Sequence, residues 1–421
     1  MASDVGRVRD NNQDSCLVEP SLGLYVVCDG MGGHAAGDVA SRLAVETVRE
    51  VVQVYLPEVG TPETEQGRAN ALASLMRAAL ERANRAVHEL SRNEQTFGAG
   101  TTCTAVLVYD SKATLAHVGD SRAYLIRDDQ VHQLSNDHTF AAEAISRGLL
   151  TIEELADIPE AAALTRAIGP HPSVVVDTLL FDLLPGDTLV LCSDGLHGYL
   201  QSEYELLDYV NDAPETIANQ LVAVANDRGG QDNITAVVLR AHYDEDDPTA
   251  SGRSTQIASD LAALRHIDLL SELTYAELSR VSHQMKSCSF DTGDVILHEG
   301  DDTENLFVLV EGRARVDRGG KLLAHLPTGS HFGEMAMLTR RPRTATITAE
   351  EPCRVLVLDK QTFFRLAQQD AVFGVKFLWK FAQTLSLRLE ESYAPHPETP
   401  EEDVFCSPFA KTDPPPKIKS T

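Results

Sequence analysis

Between Thr101 and Ser135 the chain passes through four strand-like stretches, TTCTAVLVYD, KATLAHVGD, RAYLIRDD and QVHQLS. At most one residue separates each from the next. A parallel pair needs a crossover of a dozen or more residues, so these four can pair only as antiparallel hairpins. That excludes an alternating βαβ sheet for this part of the molecule. Further strand-like runs follow the same reading: LGLYVVCDG, SVVVDTLLFDL, DTLVLCSDG and NITAVVLRA. The 3.6-residue apolar period of NALASLMRAALERANRAVHEL predicts an amphipathic helix over 70–90, and TFAAEAISRGLLTIEELAD also reads as helical. Helices flanking antiparallel sheets define an α+β layered domain.

At 421 residues the chain exceeds what one core usually organises. The break lies at HYDEDDPTASGRSTQIASD, acidic and then rich in Pro, Ser, Thr and Gly, which predicts a linker over 242–260. The first domain is then 1–241. After the linker, DLAALRHIDLLSELTYAELSRVSHQM reads as helical. Short strands broken by Gly-Asp, Glu-Gly and Gly-Gly turns continue to about 358, the pattern of a small β-barrel or roll. A helix over 371–392 closes this second domain, 261–392. The Pro-rich tail 393–421 is expected to be disordered.

The formal charge of −27 disfavours nonspecific nucleic-acid binding and leaves solubility or the collection of hard cations as its use. No apolar run reaches 18 residues, and MASDVGRVRD has no signal-peptide core, so no membrane association is expected. Seven single cysteines without a C-x-x-C pair suit a reducing compartment, and a cytoplasmic location is expected.

Aspartates recur at strand ends beside turn residues: Asp29-Gly30, Gly119-Asp120, Asp194-Gly195 and Asp232-Asn233. RDNNQD adds Arg9, Gln13 and Asp14. Gathered carboxylates repel one another, and Mg²⁺ or Mn²⁺ removes that cost because both prefer oxygen ligands. Gly30 lets the backbone approach, so that its carbonyl is a candidate ligand. Two such ions would activate a water toward phosphorus, with Arg9 the candidate fork for phosphoryl oxygens. Each Asp-Gly alone is more often a turn than a ligand; only the group is persuasive. Gly30-Met31-Gly32-Gly33-His34-Ala35 also fits the dinucleotide pattern G-x-G-x-x-A. Asp29 beside the pyrophosphate position and the antiparallel spacing both argue against it. His34, His117 and His138 read as packing or hydrogen-bonding residues, with His138 nearest to an exception.

The stretches SDVGRVRDNNQDS, VCDGMGGHAAGDVAS, GAGTTCTAVLV, HVGDSRAYLI, LSNDHT, LTRAIG, LCSDGLHGYL and GGQDNITAVVL stand in one order over residues 3–240. In this the chain resembles bacterial metal-dependent protein phosphatases of the PPM, or type 2C, serine/threonine class. The resemblance implies a sandwich of two antiparallel sheets with helices outside, and phosphorylated proteins as substrates. It implies that Asp29 bridges two metals and Gly30 lends its carbonyl. Asp194 and Asp232 would be ligands, Gln13 and Asp14 would act through water, and Arg9 would clamp phosphate. Arg9, Asp29 and Asp232 are thereby the catalytic candidates. Asp120 with Asp194 matches a third metal site of bacterial members, and 139–163 matches their mobile flap. Gln13 replaces the Glu of many members. Met31 stands where eukaryotic members often carry a histidine, so no general acid is assigned. The usual first strand is expected to be short. A serine/threonine kinase as partner follows from the family's habits alone.

GEMAMLTRRPRTA, 333–345, places an arginine ten residues after its glycine and so puts a carboxylate and a guanidinium at opposite ends of one loop, fitted to a ribose hydroxyl and a cyclic phosphate. The alternative is a solvated patch of Arg340, Arg341 and Arg343. With the flank VILHEGDDTENLFVLVEGRARV it resembles the phosphate-binding cassette of cyclic nucleotide-binding domains, over about 262–392. The resemblance implies that Gly333, Glu334 and Ala336 meet the ribose, and that Arg343, Thr344 and Ala345 meet the phosphate of cAMP or cGMP. The combined expectation is a metal-dependent phosphoserine/phosphothreonine phosphatase regulated by a cyclic nucleotide. The alternative is a phosphatase fold of weak turnover whose output is nucleotide-dependent association.

Overall fold

The computed structural model describes residues 1–32, 36–59, 65–155, 158–242, 248–338 and 342–393. His34, Arg340, Arg341 and nearly all of the Pro-rich tail lie outside them. The first domain opens with β1 (Ala2–Asp4), β2 (Asp14–Glu19), β3 (Leu24–Met31), α1 (Gly37–Tyr55) and α2 (Glu65–Ser91). The hairpin series follows as β4 (Gly100–Thr101), β5 (Cys103–Tyr109), β6 (Lys112–Val118), β7 (Arg122–Arg127) and β8 (Gln130–Gln133). Then come α3 (Phe140–Ser146), α4 (Ile152–Leu155), β9 (Asp177–Asp182), β10 (Thr188–Cys192), α5 (Asp194–His197), α6 (Pro214–Asp227) and β11 (Ile234–Arg240). The first strand is short, as expected. The stretch expected as one helix at 139–157 holds two, α3 and α4, with Gly148 at φ +64° breaking the run between them.

Every pairing is antiparallel. One sheet runs β2-β3-β5-β6-β9, with β4 also on β3, and the other runs β1-β11-β10-β7-β8. Alternation along β3 explains the layers. Leu24, Val26 and Cys28 face α1 and α2, joining Ala40, Ala44, Val48, Met76 and Leu80 in the outer core. Val27 points the other way and meets Leu125, Leu191 and Val237 of the opposite sheet. Tyr124, Val190 and Ala236 pack under α6, against Ile217 and Leu221. With both faces of each sheet covered, the strands read as nearly continuous apolar runs, and the domain is an αββα sandwich.

The stretch expected as a linker, 242–260, is helical over much of its length. Residues from Pro248 onward form α7 (Pro248–Arg265). Proline opens the helix where its missing N–H costs nothing, and Ile257, Leu261 and Leu264 form a helical stripe strong enough to dock it. The following helical run is also divided, because Thr274 and Glu277 build a capping box that starts α8 (Tyr275–Ser282) afresh.

The second domain continues through β12 (Lys286–Phe290), β13 (Val295–Leu297), β14 (Asn305–Glu311), β15 (Ala314–Arg318), β16 (Lys321–Leu326) and β17 (His331–Phe332). It ends with α9 (Glu334–Leu338), β18 (Thr346–Ala349), β19 (Cys353–Asp359), α10 (Lys360–Gln369) and α11 (Ala371–Tyr393). Two four-stranded sheets, β12-β19-β14-β17 and β13-β18-β15-β16, enclose Leu309, Phe332, Ile347 and Val355 as a β-roll. Phe373, Phe377 and Phe381, four apart on α11, pack with Phe363 against α7 and α8 residues. Among the described residues no helix is long and apolar enough to cross a membrane.

The two domains share a core. Tyr275 and Ala276 of α8 belong to the same apolar cluster as Leu179 and Phe181 of β9. Arg127, buried, pairs with buried Asp187 at 2.5 Å and donates to the Tyr275 hydroxyl at 2.7 Å. His132 stacks on the Tyr275 ring at 4.6 Å, and the Ser279 hydroxyl donates to the Leu180 carbonyl. His283 stands 3.1 Å from Asp182.

Candidate active site

The strand ends of the sandwich bring the carboxylates together. Asp29 lies two residues beyond Val27 on β3, so alternation turns it toward the space between the sheets. Asp14 of β2 is its register partner, an opposed pair of like charges that a sheet ordinarily avoids. Asp194 opens α5 directly after β10, Asp232 precedes β11, and Asp120 sits between β6 and β7. Burial first, then the Asp14, Asp194 and Asp120 charges, hold the Asp29 carboxyl well above the usual carboxylate range. Burial also raises Asp14 to about 6, against hydrogen bonds from Thr235 and Ser193 that lower it and the charges of Asp194 and Asp232 that add to the rise. Asp120 rises to about 7 through burial and then the Asp194 and Asp137 charges.

One oxygen each of Asp14 and Asp194 is buried without a hydrogen-bond partner. Orphaned anionic oxygens among like charges are what a cation satisfies, and the donor set, all oxygen, suits Mg²⁺ or Mn²⁺. Among the described residues no three acidic, histidine or cysteine side chains converge closely enough to hold a metal ion by themselves. At Gly30 a Cβ would lie 2.2 Å from the Gly37 carbonyl oxygen and 2.5 Å from that of Gln13, so only glycine fits.

Arg9, half-exposed, donates to Asp232 at 2.7 Å, which places the guanidinium at the rim of the cluster. Gln13 turns its amide nitrogen to the Gly32 carbonyl, while its backbone N–H donates to Asn233 and its carbonyl accepts from Gly30 and Ser41. Met31 continues β3 beside the cluster.

Several positioning residues escaped the sequence reading. The Ser193 hydroxyl donates to Asp14 at 2.8 Å. Thr102 accepts the Asp29 N–H, and the Asp29 carbonyl accepts from both Thr101 and Thr102. Asn233 donates to the Val5 and Asn11 carbonyls, tying the Arg9 loop to Asp232. Their only sequence signal is a hydroxyl or amide next to an assigned aspartate or strand end.

In the second domain Glu334 and Arg343 are both buried, at 4% and 5% exposure, which removes the solvated-patch reading for Arg343. The Arg343 guanidinium donates to the carbonyls of Gly333 and Asn305, at 2.8 and 2.9 Å, and to the Thr303 hydroxyl. It lies over the Phe307 ring at 5.5 Å. All three acceptors are neutral, and burial lowers its pKa, against the Glu334 and Asp301 charges. Gly333 has φ +83°, and a Cβ there would meet Arg343 at 2.6 Å. Ala336 is buried, Ala345 half-buried and Thr344 exposed.

A helix-covered antiparallel sandwich with this aspartate cluster, carrying a roll with a buried arginine bonded to neutral acceptors, fits a protein phosphatase joined to a nucleotide-binding module. The chain belongs to the protein phosphatase 2C family, whose model matches residues 7–223, and residues 287–370 match the cyclic nucleotide-binding domain. It is 35% identical over 250 residues to the protein phosphatase PhpP of Streptococcus pneumoniae, covering 58% of this chain and 98% of that one. It is 32% identical over 256 residues to the serine/threonine phosphatase stp of Listeria monocytogenes, covering 60% and 96%. Among solved structures it is similar to the S. agalactiae serine/threonine phosphatase, with TM-score 0.50 and 34% identity over 57% of this chain and 98% of that one.

Proposed function

We propose that the chain removes phosphate from phosphoserine and phosphothreonine in proteins with the help of Mg²⁺ or Mn²⁺, under control of a cyclic nucleotide bound at 333–345. The observation that carries the metal reading is the buried, mutually repelling carboxylate set with orphaned oxygens on Asp14 and Asp194. Asp29, the Gly30 carbonyl, Asp194 and Asp232 would hold the ions, Asp120 with Asp194 a third, and Gln13 and Asp14 would act through water. Bound, the ions supply Lewis acidity to water and phosphoryl oxygens. Arg9, held on Asp232 by one nitrogen, keeps further N–H donors for the phosphoryl group, so that the substrate is oriented before the cluster. A kinase that makes the phosphorylated substrate is the partner class this activity implies. At the second site Glu334 would accept from ribose and Arg343 would pair with the cyclic phosphate, with Gly333, Ala336, Thr344 and Ala345 framing the ligand.

Regulation is supported by the shared core at α8 and β9, since a packed seam lets a change in one domain load the other. The test is Mn²⁺-dependent hydrolysis of a phosphothreonine peptide with and without cAMP and cGMP, each binding measured by calorimetry. Turnover that needs Mn²⁺ and shifts at least threefold with one nucleotide is expected. An unchanged rate with a nucleotide demonstrably bound removes the regulatory reading, and absent turnover removes the catalytic one. Tyr275→Phe keeps the stacked ring but deletes the one acceptor that the second domain offers Arg127, whose bonds to Asp187 stay. It is expected to bind nucleotide normally while its rate response shrinks by at least half; an undiminished response separates the seam from regulation.

A further inference from the structure

His138 precedes the 139–163 segment and is 1% exposed, among neighbours that fix both of its nitrogens. The Gly119 N–H donates to Nδ1 at 3.0 Å, so Nδ1 carries a lone pair and Nε2 carries the proton. Nε2 donates to Asp177 at 3.1 Å, and Arg166 holds the other Asp177 oxygen at 2.7 Å. The His138 backbone grips the same glycine: its N–H donates to the Gly119 carbonyl, and its own carbonyl accepts from Thr165. Gly119 is thus held on both of its backbone polar groups by one residue.

Two things depend on that glycine. Asp120 follows it directly. At φ +113° Gly119 also presses on Thr102, where a Cβ would lie 2.6 Å from the threonine side chain. Thr102 in turn bonds Ser121 and accepts the Asp29 N–H. On the other side, Thr139 caps α3 and bridges to Leu164, so the base of the 139–163 segment hangs from the residue next to His138.

We propose that His138 is a positioning residue for phosphate hydrolysis. It fixes Gly119 from behind, and so sets Asp120 and, through Thr102, Asp29 in the geometry that holds a divalent cation. This rests on the reading of these aspartates as cation ligands. The imidazole touches neither substrate nor ion; its work is to supply one acceptor to one backbone N–H.

That atom-level assignment separates two conservative variants. In His138→Asn the amide oxygen stands where Nδ1 stood and can accept from Gly119. In His138→Gln it reaches the Nε2 position and leaves Gly119 without an acceptor. The full-length chain is compared as wild type, His138→Asn, His138→Gln, His138→Ala and Asp120→Asn. Three readouts are taken: hydrogen exchange over 117–121 without metal, Mn²⁺ affinity by calorimetry, and kcat and KM for p-nitrophenyl phosphate. His138→Gln and His138→Ala are expected to speed exchange at least tenfold, weaken Mn²⁺ at least tenfold and lower kcat with KM within twofold. His138→Asn should stay within threefold of wild type throughout. If the alanine variant does not fold, the Asn and Gln pair still decides.

Equal behaviour of Asn and Gln, or unchanged exchange and Mn²⁺ affinity in both, overturns the proposal. Asp120→Asn isolates the underlying reading. If it weakens Mn²⁺ while the His138 series does not, the positioning role fails alone. If the His138 series shifts Mn²⁺ affinity and Asp120→Asn does not, positioning stands through Asp29, and Asp120 is removed as a ligand.

Discussion

Asp29→Asn is expected to lower Mn²⁺-dependent hydrolysis at least about a thousandfold, a barrier increase of ~4 kcal/mol. The substitution is nearly isosteric and keeps the backbone bonds to Thr101 and Thr102, so the strand end should stay in place. What it removes is the charge at the centre of the cluster, flanked by Asp14 across the sheet and by Asp194 and Asp120. The same geometry predicts a second effect of opposite sign. Without metal, a buried Asp29 must either stay charged among like charges or take up a proton, and both weaken folding at neutral pH. An amide does neither. The metal-free variant should therefore melt a few degrees higher than metal-free wild type, corresponding to roughly 1 kcal/mol of relieved repulsion. In excess Mn²⁺ the order should reverse, because only wild type gains the linkage energy of a bound ion. Hydrolysis assays and paired melting curves with and without Mn²⁺ check both parts. Full activity in the variant would remove Asp29 from the metal centre. A fall in the metal-free melting point would mean that the carboxylate serves structure first.

What could be read from the chain was local. Antiparallel pairing followed from hairpin spacing between Thr101 and Ser135, since two-residue periodicity and connection length are properties of neighbouring residues, whereas the two-sheet sandwich was what the family resemblance implied. The aspartates were visible because each stands at a strand end beside a turn residue. The parts that were missed depend on contacts between distant segments. Asn233 holds Val5 and Asn11 across more than two hundred residues, and Ser193 reaches Asp14 across 179. None of these three contacts has any periodicity to betray it. The 242–260 stretch differs: its composition read as a linker and signalled no helix, but a stripe of Ile257, Leu261 and Leu264 found apolar partners in both domains, and tertiary burial overrode propensity. Arg343 is an intermediate case. Its spacing from Gly333 identified the loop, but a run of basic residues in a sequence is as easily a wet surface, and only the fold shows the guanidinium sealed under Phe307 and the roll.

Arg343→Ala should abolish cyclic-nucleotide binding, with affinity reduced at least a hundredfold, while Mn²⁺-dependent hydrolysis without nucleotide persists. Burying a guanidinium is costly when its bonds go to neutral oxygens, because carbonyls return less than a carboxylate would. The cost here is tolerated at a loop whose Gly333 adopts a left-handed conformation against that same side chain. Among the described residues, three of five N–H donors are engaged, by Gly333, Asn305 and Thr303. The others could serve a phosphate, which would add a directly bonded anion to the three neutral acceptors. Alanine also takes one donor from each of two carbonyls, of which that of Gly333 keeps the Ala336 N–H, so part of its effect would be local loosening. Arg343→Lys separates the two causes. It keeps the charge but not the fork that serves two carbonyls and a phosphate together, so nucleotide binding should fall at least tenfold with the melting point of the domain close to wild type. Calorimetric titration of cAMP and cGMP into wild type, Ala and Lys measures this series. Wild-type affinity in the lysine variant would show that a point charge suffices and that the planar fork is not what the loop is built around. Wild-type affinity in the alanine variant would place the anion elsewhere altogether.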